Sequence, residues 1–154
     1  MRKKTLILGL GNVLMGDEGI GIKAVEYLQE RGMAEEADLL DGGTGGFQLL
    51  SLFQSYRHII IIDATIGGKE PGEISILKPR YASEFPRSLT SQDIGLKDLM
   101  QSAELLEDLP DISLIAINIA DFSSVGIGIS EGLEQRLPDI YQQVQEILFQ
   151  IGNQ

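Results

Sequence analysis

Hydrophobic residues fall into short runs along the chain, and these runs predict the strands of a sheet. An apolar run at 5–10 and four consecutive isoleucines at 59–62 are typical of strands buried on both faces, and 112–117 predicts a last core strand. The segment 38–41 predicts a further short strand. Polar and apolar residues alternate over 73–77, which predicts an edge or half-buried strand.

Apolar residues with helical spacing occupy the intervals between these strands. The spacing predicts helices over 17–32, from residue 47 onward, over 96–106 and over 133–151. Pro138 interrupts the last pattern, so we expect a kink or a fresh helix start there, because proline lacks the backbone N–H that a helix interior needs.

The alternation of strands and helices predicts an α/β fold. Such an order favours a mostly parallel central sheet with helices on both faces, built as a single domain over 1–154. The glycine-rich segment 42–46 and the proline-containing segment 78–91 are expected to be loops, the second a mobile one. In sheets of this kind the active crevice lies outside the carboxyl ends of the strands.

Charge and composition narrow the possible functions. The net charge of −11 repels a phosphate backbone, so nucleic acid is not expected as a partner. The acidity serves either solubility or the recruitment of a basic or metal-bearing protein. The chain has no cysteine, which excludes disulfides, thiolate metal sites and cysteine nucleophiles. No apolar run is long enough to span a bilayer, so we expect no membrane insertion and a cytoplasmic location.

Acidic residues follow two of the predicted strands. Asp17 and Glu18 lie at the start of the first helix, where the helix dipole favours negative charge. Asp17 is the natural N-cap, which leaves Glu18 without a structural role. Asp63 follows four isoleucines, and a carboxylate at the end of a buried strand is costly unless it is paired or coordinates an ion. Glu18 and Asp63 are therefore the candidate site residues, although a cap for the next turn would also explain Asp63.

The stretch 9–21 also invites a comparison with dinucleotide-binding loops. The third glycine of the Gly-x-Gly-x-x-Gly fingerprint is replaced by Leu14, so that fingerprint is broken. Asp41 could still act as a ribose-binding acid at the end of the second strand. Nucleotide binding is therefore kept as a minor alternative.

The single histidine, His58, begins the strand that Asp63 is expected to end. Five strand residues span roughly 16 Å, so His58 is predicted at the opposite rim of the sheet. It is expected to be a surface or edge residue, and a Ser–His mechanism at the candidate site is disfavoured.

Several of these segments resemble the hydrogenase maturation endopeptidases, which trim the C-terminus of [NiFe]-hydrogenase large-subunit precursors. The first and most specific is 9–21, GLGNVLMGDEGIG. It is followed by 41–44 (DGGT), 62–64 (IDA) and 93–96 (DIGL), with a weaker similarity at 126–130 (GIGIS). They occur in the order and spacing of the family and cover nearly the whole chain.

The resemblance implies a three-layer α/β/α sandwich and a metal site. In the family a Glu, an Asp and a His bind a metal, thought to be the nickel already loaded in the precursor. The resemblance implies that Glu18 and Asp63 are the catalytic and metal-binding residues of this chain, and that Gln92 stands in the position of the family's histidine. The implied cofactor is nickel supplied by the substrate, and the implied partner is a hydrogenase large-subunit precursor.

Two departures from the family pattern leave two functions open. A carboxamide oxygen at Gln92 is a harder and weaker nickel ligand than a neutral imidazole, and Asp93 could complete the site instead. The family often has Pro-Glu after the last strand, where this chain has Ile119-Ala120-Asp121. The main hypothesis is a metal-guided endopeptidase, and the alternative is a module that binds the precursor without cutting it.

Overall fold

A five-stranded, mostly parallel sheet forms the centre of the protein. The structure is a computed structural model, and it describes residues 3–43, 50–90, 96–105, 109–120 and 126–153. The strand order is β2-β1-β3-β5-β4, and β4 runs antiparallel to β5 whereas the other pairs are parallel. The strands are β1 (Lys3–Leu10), β2 (Asp38–Gly43), β3 (Tyr56–Ile66), β4 (Ile74–Leu77) and β5 (Asp111–Ile119).

Helices cover both faces of this sheet. One face packs against α1 and α5, and the other packs against α2 and α3. The predicted three-layer α/β/α architecture is therefore confirmed. The helices are α1 (Ile20–Glu30), α2 (Leu50–Ser55), α3 (Leu96–Ala103), α4 (Glu131–Glu134) and α5 (Leu137–Gly152).

The isoleucine run in β3 explains why the sheet is covered on both sides. Ile59 and Ile61 belong to the core under α2 and α3, whereas Ile60 and Ile62 belong to the core under α1 and α5. All four are fully buried. Successive strand residues point to opposite faces, so an unbroken apolar run is stable only when both faces are packed.

The central strand is longer than its apolar run predicts. Asp63 was expected to end the strand, but β3 continues to Ile66 and pairs with β5 as far as Ile119. Asp63 therefore lies inside a strand rather than after it. On its other edge β3 pairs with β1, and the last pair there is Gly9 with Ile62. Asp63 therefore lies one residue beyond the end of the β1–β3 pairing.

The ends of the helices also differ in part from the prediction. The turn before α1, Gly16–Gly19, is a 3₁₀ helix, and α1 itself begins at Ile20 rather than at residue 17. The expected helix start at residue 47 lies outside the described residues. The C-terminal pattern consists of two helices, and Pro138 lies in the first turn of α5, which confirms the fresh helix start.

The segment expected to be a loop at 78–91 is packed against the domain over its described part, 78–90. It contains a 3₁₀ turn at Ala82–Glu84. Ala82, Phe85 and Leu89 are buried in the core under α2 and α3. The backbone amide of Ala82 donates to Glu104 Oε1 at 2.5 Å, just beyond the end of α3. This anchoring does not fit the expectation of a mobile loop.

No helix in the described ranges combines the length and the apolar character that crossing a membrane requires.

Candidate active site

Close backbone contacts between glycines hold the start of α1 against the sheet. A Cβ atom at Gly21 would collide with the carbonyl oxygens of Leu10 and Ile62, and one at Gly9 would collide with the carbonyl oxygen of Gly21. Glycine is the one residue that permits such an approach. The first turn of α1 therefore rests directly on the carboxyl end of β1 and on the residue that precedes Asp63.

Glu18 is carried by the 3₁₀ turn that leads into this helix. The turn Gly16–Gly19 contacts β3, and Glu18 is half-buried there. The loop that leaves β1 passes so close that a Cβ at Gly11 would collide with the carbonyl oxygen of Glu18. Gly11 has φ of 146°, a conformation that favours glycine. The fold thus places the turn of Glu18 over the same edge of the sheet as Asp63.

Asp63 is a fully buried carboxylate. Its Oδ1 atom accepts hydrogen bonds from the backbone amide of Ala64 at 2.9 Å and from Thr90 Oγ1 at 3.0 Å. These bonds offset part of the cost of removing a carboxylate from water. By strand alternation Asp63 shares a face with Ile61, the face under α2 and α3, whereas Glu18 approaches from the side of α1.

The segment 88–90 runs beside the end of β3 and supplies the hydroxyl group that Asp63 binds. Ile66 N donates to Ser88 O at 3.0 Å, and Thr65 Oγ1 and Ser88 Oγ are 2.6 Å apart. Leu89 forms an isolated antiparallel bridge with Thr65. Sequence reasoning missed Thr90, although a hydroxyl residue two positions before Gln92 was the signal available.

Asp17 does not cap α1 as predicted. The N-cap of α1 is Gly19, and no side chain caps that helix. The Asp17 Oδ1 atom instead accepts a hydrogen bond from the backbone amide of Ser130 at 2.6 Å. Because the 3₁₀ turn displaces the helix start by three residues, Asp17 is too far back to reach the first amides of α1 and binds the segment before α4.

The third proposed ligand lies in a part of the chain that is not described. Gln92 and Asp93 both fall within 91–95, and most of the glycine loop 42–46 falls within 44–49, outside the described residues. Within the described ranges no three His, Asp or Glu side chains form a group that could hold a metal ion. Of the residues proposed as ligands from the sequence, Glu18 and Asp63 are the two that lie within the described ranges.

Asp41 and His58 have structural contacts of their own. The Asp41 Oδ1 atom accepts a hydrogen bond from Gly43 N at 2.8 Å, a local contact within the last residues of β2. His58 lies near the amino end of β3, as predicted, and its Nδ1 is 3.6 Å from Asp111 Oδ2. His58 is partly buried rather than a surface residue, because β1 and β5 flank it.

Exposed apolar side chains border the candidate site on the β1 side. Leu14 is 58% exposed and Ile127 is 81% exposed. Their segments are joined because Gly126 N donates to Leu14 O at 2.8 Å and Gly16 N donates to Gly126 O at 2.9 Å. A cavity of about 720 Å³ opens beside Asp17, with Ser130 in its wall. The cavity extends toward the start of β4 and toward α5, and its lining includes neither Glu18 nor Asp63.

Comparisons with known proteins give one consistent result. A family model described as hydrogenase maturation protease matches residues 22–147. The hydrogenase 2 maturation protease of Escherichia coli strain K12 is 30% identical over 153 residues, covering 97% of this chain and 93% of that protein.

Solved structures of similar proteins agree with the fold. The hydrogenase maturating endopeptidase HybD from E. coli superposes with a TM-score of 0.81 at 29% identity, covering 99% of this chain and 94% of that one. The [NiFe] hydrogenase maturation protease HybD from Thermococcus kodakarensis gives a TM-score of 0.78 at 27% identity, covering 96% of this chain and 99% of that one. The resemblance seen in the sequence is confirmed, and no comparison favours a nucleotide-binding domain.

Proposed function

Because the chain belongs to the hydrogenase maturation protease family, we propose that it is an endopeptidase that removes the C-terminal extension of a nickel-loaded [NiFe]-hydrogenase large-subunit precursor. The single observation that supports this most strongly is the buried carboxylate of Asp63 beside the turn that carries Glu18. A buried carboxylate at the carboxyl edge of a parallel sheet is expensive to maintain and stands where such folds bind ligands.

Glu18 and Asp63 are the proposed acidic ligands of the incoming metal, and Gln92 is the proposed third ligand. Gln92 follows Thr90 by two positions, a chain separation of at most about 7 Å between Cα atoms. Thr90 is bonded to Asp63, so the chain from Thr90 is long enough to bring the Gln92 side chain to the site. Carboxylate and carboxamide oxygens form a harder donor set than the carboxylate and imidazole set of the family.

In the proposed reaction the nickel belongs to the precursor and serves as the recognition signal. Binding of the metal centre by Glu18, Asp63 and Gln92 would hold the scissile peptide at the carboxyl edge of the sheet. Holding the peptide in that position makes the reaction effectively unimolecular, with the reacting groups already oriented. This positioning supplies much of the rate acceleration. A bound metal ion can also polarise a carbonyl group or a water molecule for hydrolysis. The peptide path is proposed to run along the segments 42–46 and 78–91.

The alternative function is a module that binds the precursor without cleaving it. The observation behind it is the glutamine at position 92 in place of the histidine. A weaker third ligand could leave recognition intact and lower the rate of hydrolysis. Under either function Asp93 is the second candidate for the third ligand, and if it fills that role an Asp93→Asn variant would weaken precursor binding.

The remaining assignments are also proposals. The partner is a hydrogenase large-subunit precursor, the location is the cytoplasm, and residues 1–154 form one domain. A permanently bound nickel ion is not part of the proposal, because the metal arrives with the substrate; the same ligands are nevertheless expected to bind free Ni²⁺ when it is supplied in solution.

The test is cleavage of a nickel-loaded large-subunit precursor from the same host, measured by intact mass. We expect loss of a C-terminal peptide with the wild-type chain and no loss with Glu18→Gln or Asp63→Asn. His58→Ala is the matched control, because His58 lies near the opposite end of β3 and its loss should leave cleavage unchanged. Precursor binding without cleavage would favour the binding module, and neither binding nor cleavage would refute both functions.

A further inference from the structure

Thr90 is bonded to the buried carboxylate that the proposed function assigns to the metal. Thr90 Oγ1 lies 3.0 Å from Asp63 Oδ1 and donates to it, because an ionised carboxylate can only accept. The same oxygen also accepts from Ala64 N at 2.9 Å. With these two donors in place, the position of Oδ1 is fixed from two directions.

A carboxylate on a strand can rotate about its terminal torsion, which is broad and roughly two-fold. The amide of Ala64 is part of the backbone and holds one side of Oδ1. The hydroxyl of Thr90 comes from a different segment of the chain and fixes the carboxylate plane from a second direction. Residues that hydrogen-bond to a metal ligand, without touching the metal, orient that ligand and raise the affinity for the metal.

We propose that Thr90 is a positioning residue, which sets the plane of the Asp63 carboxylate so that one defined oxygen faces the incoming nickel. This inference rests on the proposed function, since it takes Asp63 to be a metal ligand. It adds a residue that stands outside the ligand set and acts through Asp63. Thr90 also precedes Gln92 by two positions in the sequence.

A second hydroxyl pair in the same region provides a matched comparison. Thr65 lies two residues after Asp63 on the same strand, and its Oγ1 is 2.6 Å from Ser88 Oγ. This contact holds the segment 88–90 to β3 but does not involve Asp63 Oδ1. Thr65→Val therefore weakens the anchoring of the segment, whereas Thr90→Val removes a donor from the carboxylate.

The experiment is titration calorimetry of Ni²⁺ into the purified full-length chain, alone and as variants. We expect Thr90→Val to lower nickel affinity by about ten-fold or more, the effect typical of a residue that hydrogen-bonds to a metal ligand. Thr90→Ser keeps the hydroxyl group and is expected to restore affinity to near the wild-type value. Thr65→Val is expected to change affinity much less than Thr90→Val, although both variants lose one hydrogen bond and should have similar melting temperatures.

The possible outcomes separate this inference from the proposed function. If Asp63→Asn loses nickel binding but Thr90→Val keeps it, the role of Thr90 is refuted and the site stands. Equal losses in Thr65→Val and Thr90→Val would mean that Thr90 only anchors the segment, which also refutes the inference. Nickel binding that survives Asp63→Asn, or no binding by the wild-type chain, would overturn the metal role of Asp63 and the inference together. Cleavage of the precursor is measured separately and tests the proposed function.

Discussion

The carboxylate of Asp17 accepts a hydrogen bond from the backbone amide of Ser130 at 2.6 Å, across 113 positions of the chain. This bond joins the 3₁₀ turn that carries Glu18 to the segment that precedes α4. The neighbouring backbone bridge between Met15 and Gly126 joins the same two segments. The turn beside Glu18 is therefore held by the C-terminal part of the chain as well as by β3.

Removal of the Asp17 side chain should loosen this connection. We expect Asp17→Ala to lower the free energy of unfolding by about 1 kcal/mol, the usual net contribution of such a bond. Urea denaturation measures the change. Asp17→Asn retains an acceptor oxygen and should lose less. Cleavage by Asp17→Ala should exceed cleavage by Glu18→Gln, because Asp17 supports the turn and is not a proposed ligand; the reverse order would contradict these assignments.

Gly21 is required for the close approach of α1 to the sheet. Gly21→Ala would drive a methyl group into the carbonyl oxygens of Leu10 and Ile62, which are backbone atoms that cannot rotate away. We expect a loss of about 2 kcal/mol or more in the free energy of unfolding, as for other overpacked sites. Gly132→Ala in α4 is the control, since its Cβ would meet nothing within 4 Å. Equal effects of the two substitutions would refute this packing argument.

The stability of the protein should fall at alkaline pH because of Tyr56. Burial, with help from a 2.6 Å hydrogen bond to Asp38 and its negative charge, raises the pKa of Tyr56 from 10.0 to about 12. Between these values the folded state keeps a proton that the unfolded state has released. This contribution to stability is complete below pH 10 and is lost as the pH rises from about 10 to about 12.

The measurement for Tyr56 is the free energy of unfolding as a function of pH. Tyr56→Phe removes both the hydroxyl group and its titration, so the variant should be less stable near neutral pH but should show a flatter decline above pH 10. A variant whose stability declines with the same slope as the wild type would show that other groups cause the alkaline loss.

Replacement of the glutamine at position 92 tests the third proposed ligand. We expect Gln92→His to raise nickel affinity, because a neutral imidazole suits nickel better than a carboxamide oxygen. If the wild-type chain binds the precursor without cutting it, the same substitution should restore cleavage. Gln92→Ala is the comparison that removes the ligand altogether. Unchanged nickel affinity and unchanged cleavage in Gln92→His would argue against position 92 as part of the site.

Local sequence was sufficient to predict the layers of the fold and to select Glu18 and Asp63 as candidate site residues. The isoleucine run before Asp63 predicted a central buried strand because backbone alternation requires both faces to be covered. The glycines at positions 9, 11 and 21 around Glu18 are compatible with the close backbone contacts at the end of β1, because glycine alone lacks the Cβ that would prevent them. Periodicity and steric limits act over a few residues, so they can be read without the fold.

The tertiary structure decided how far β3 extends and which groups the acids bind. β3 passes Asp63 because β5 continues to pair with it to Ile119, a partner that lies more than 50 positions along the chain. The partners of Asp17 and Asp63, Ser130 and Thr90, are likewise remote in sequence. A hydrogen bond needs two atoms within about 3 Å, and only the folded backbone determines which distant atoms meet that condition.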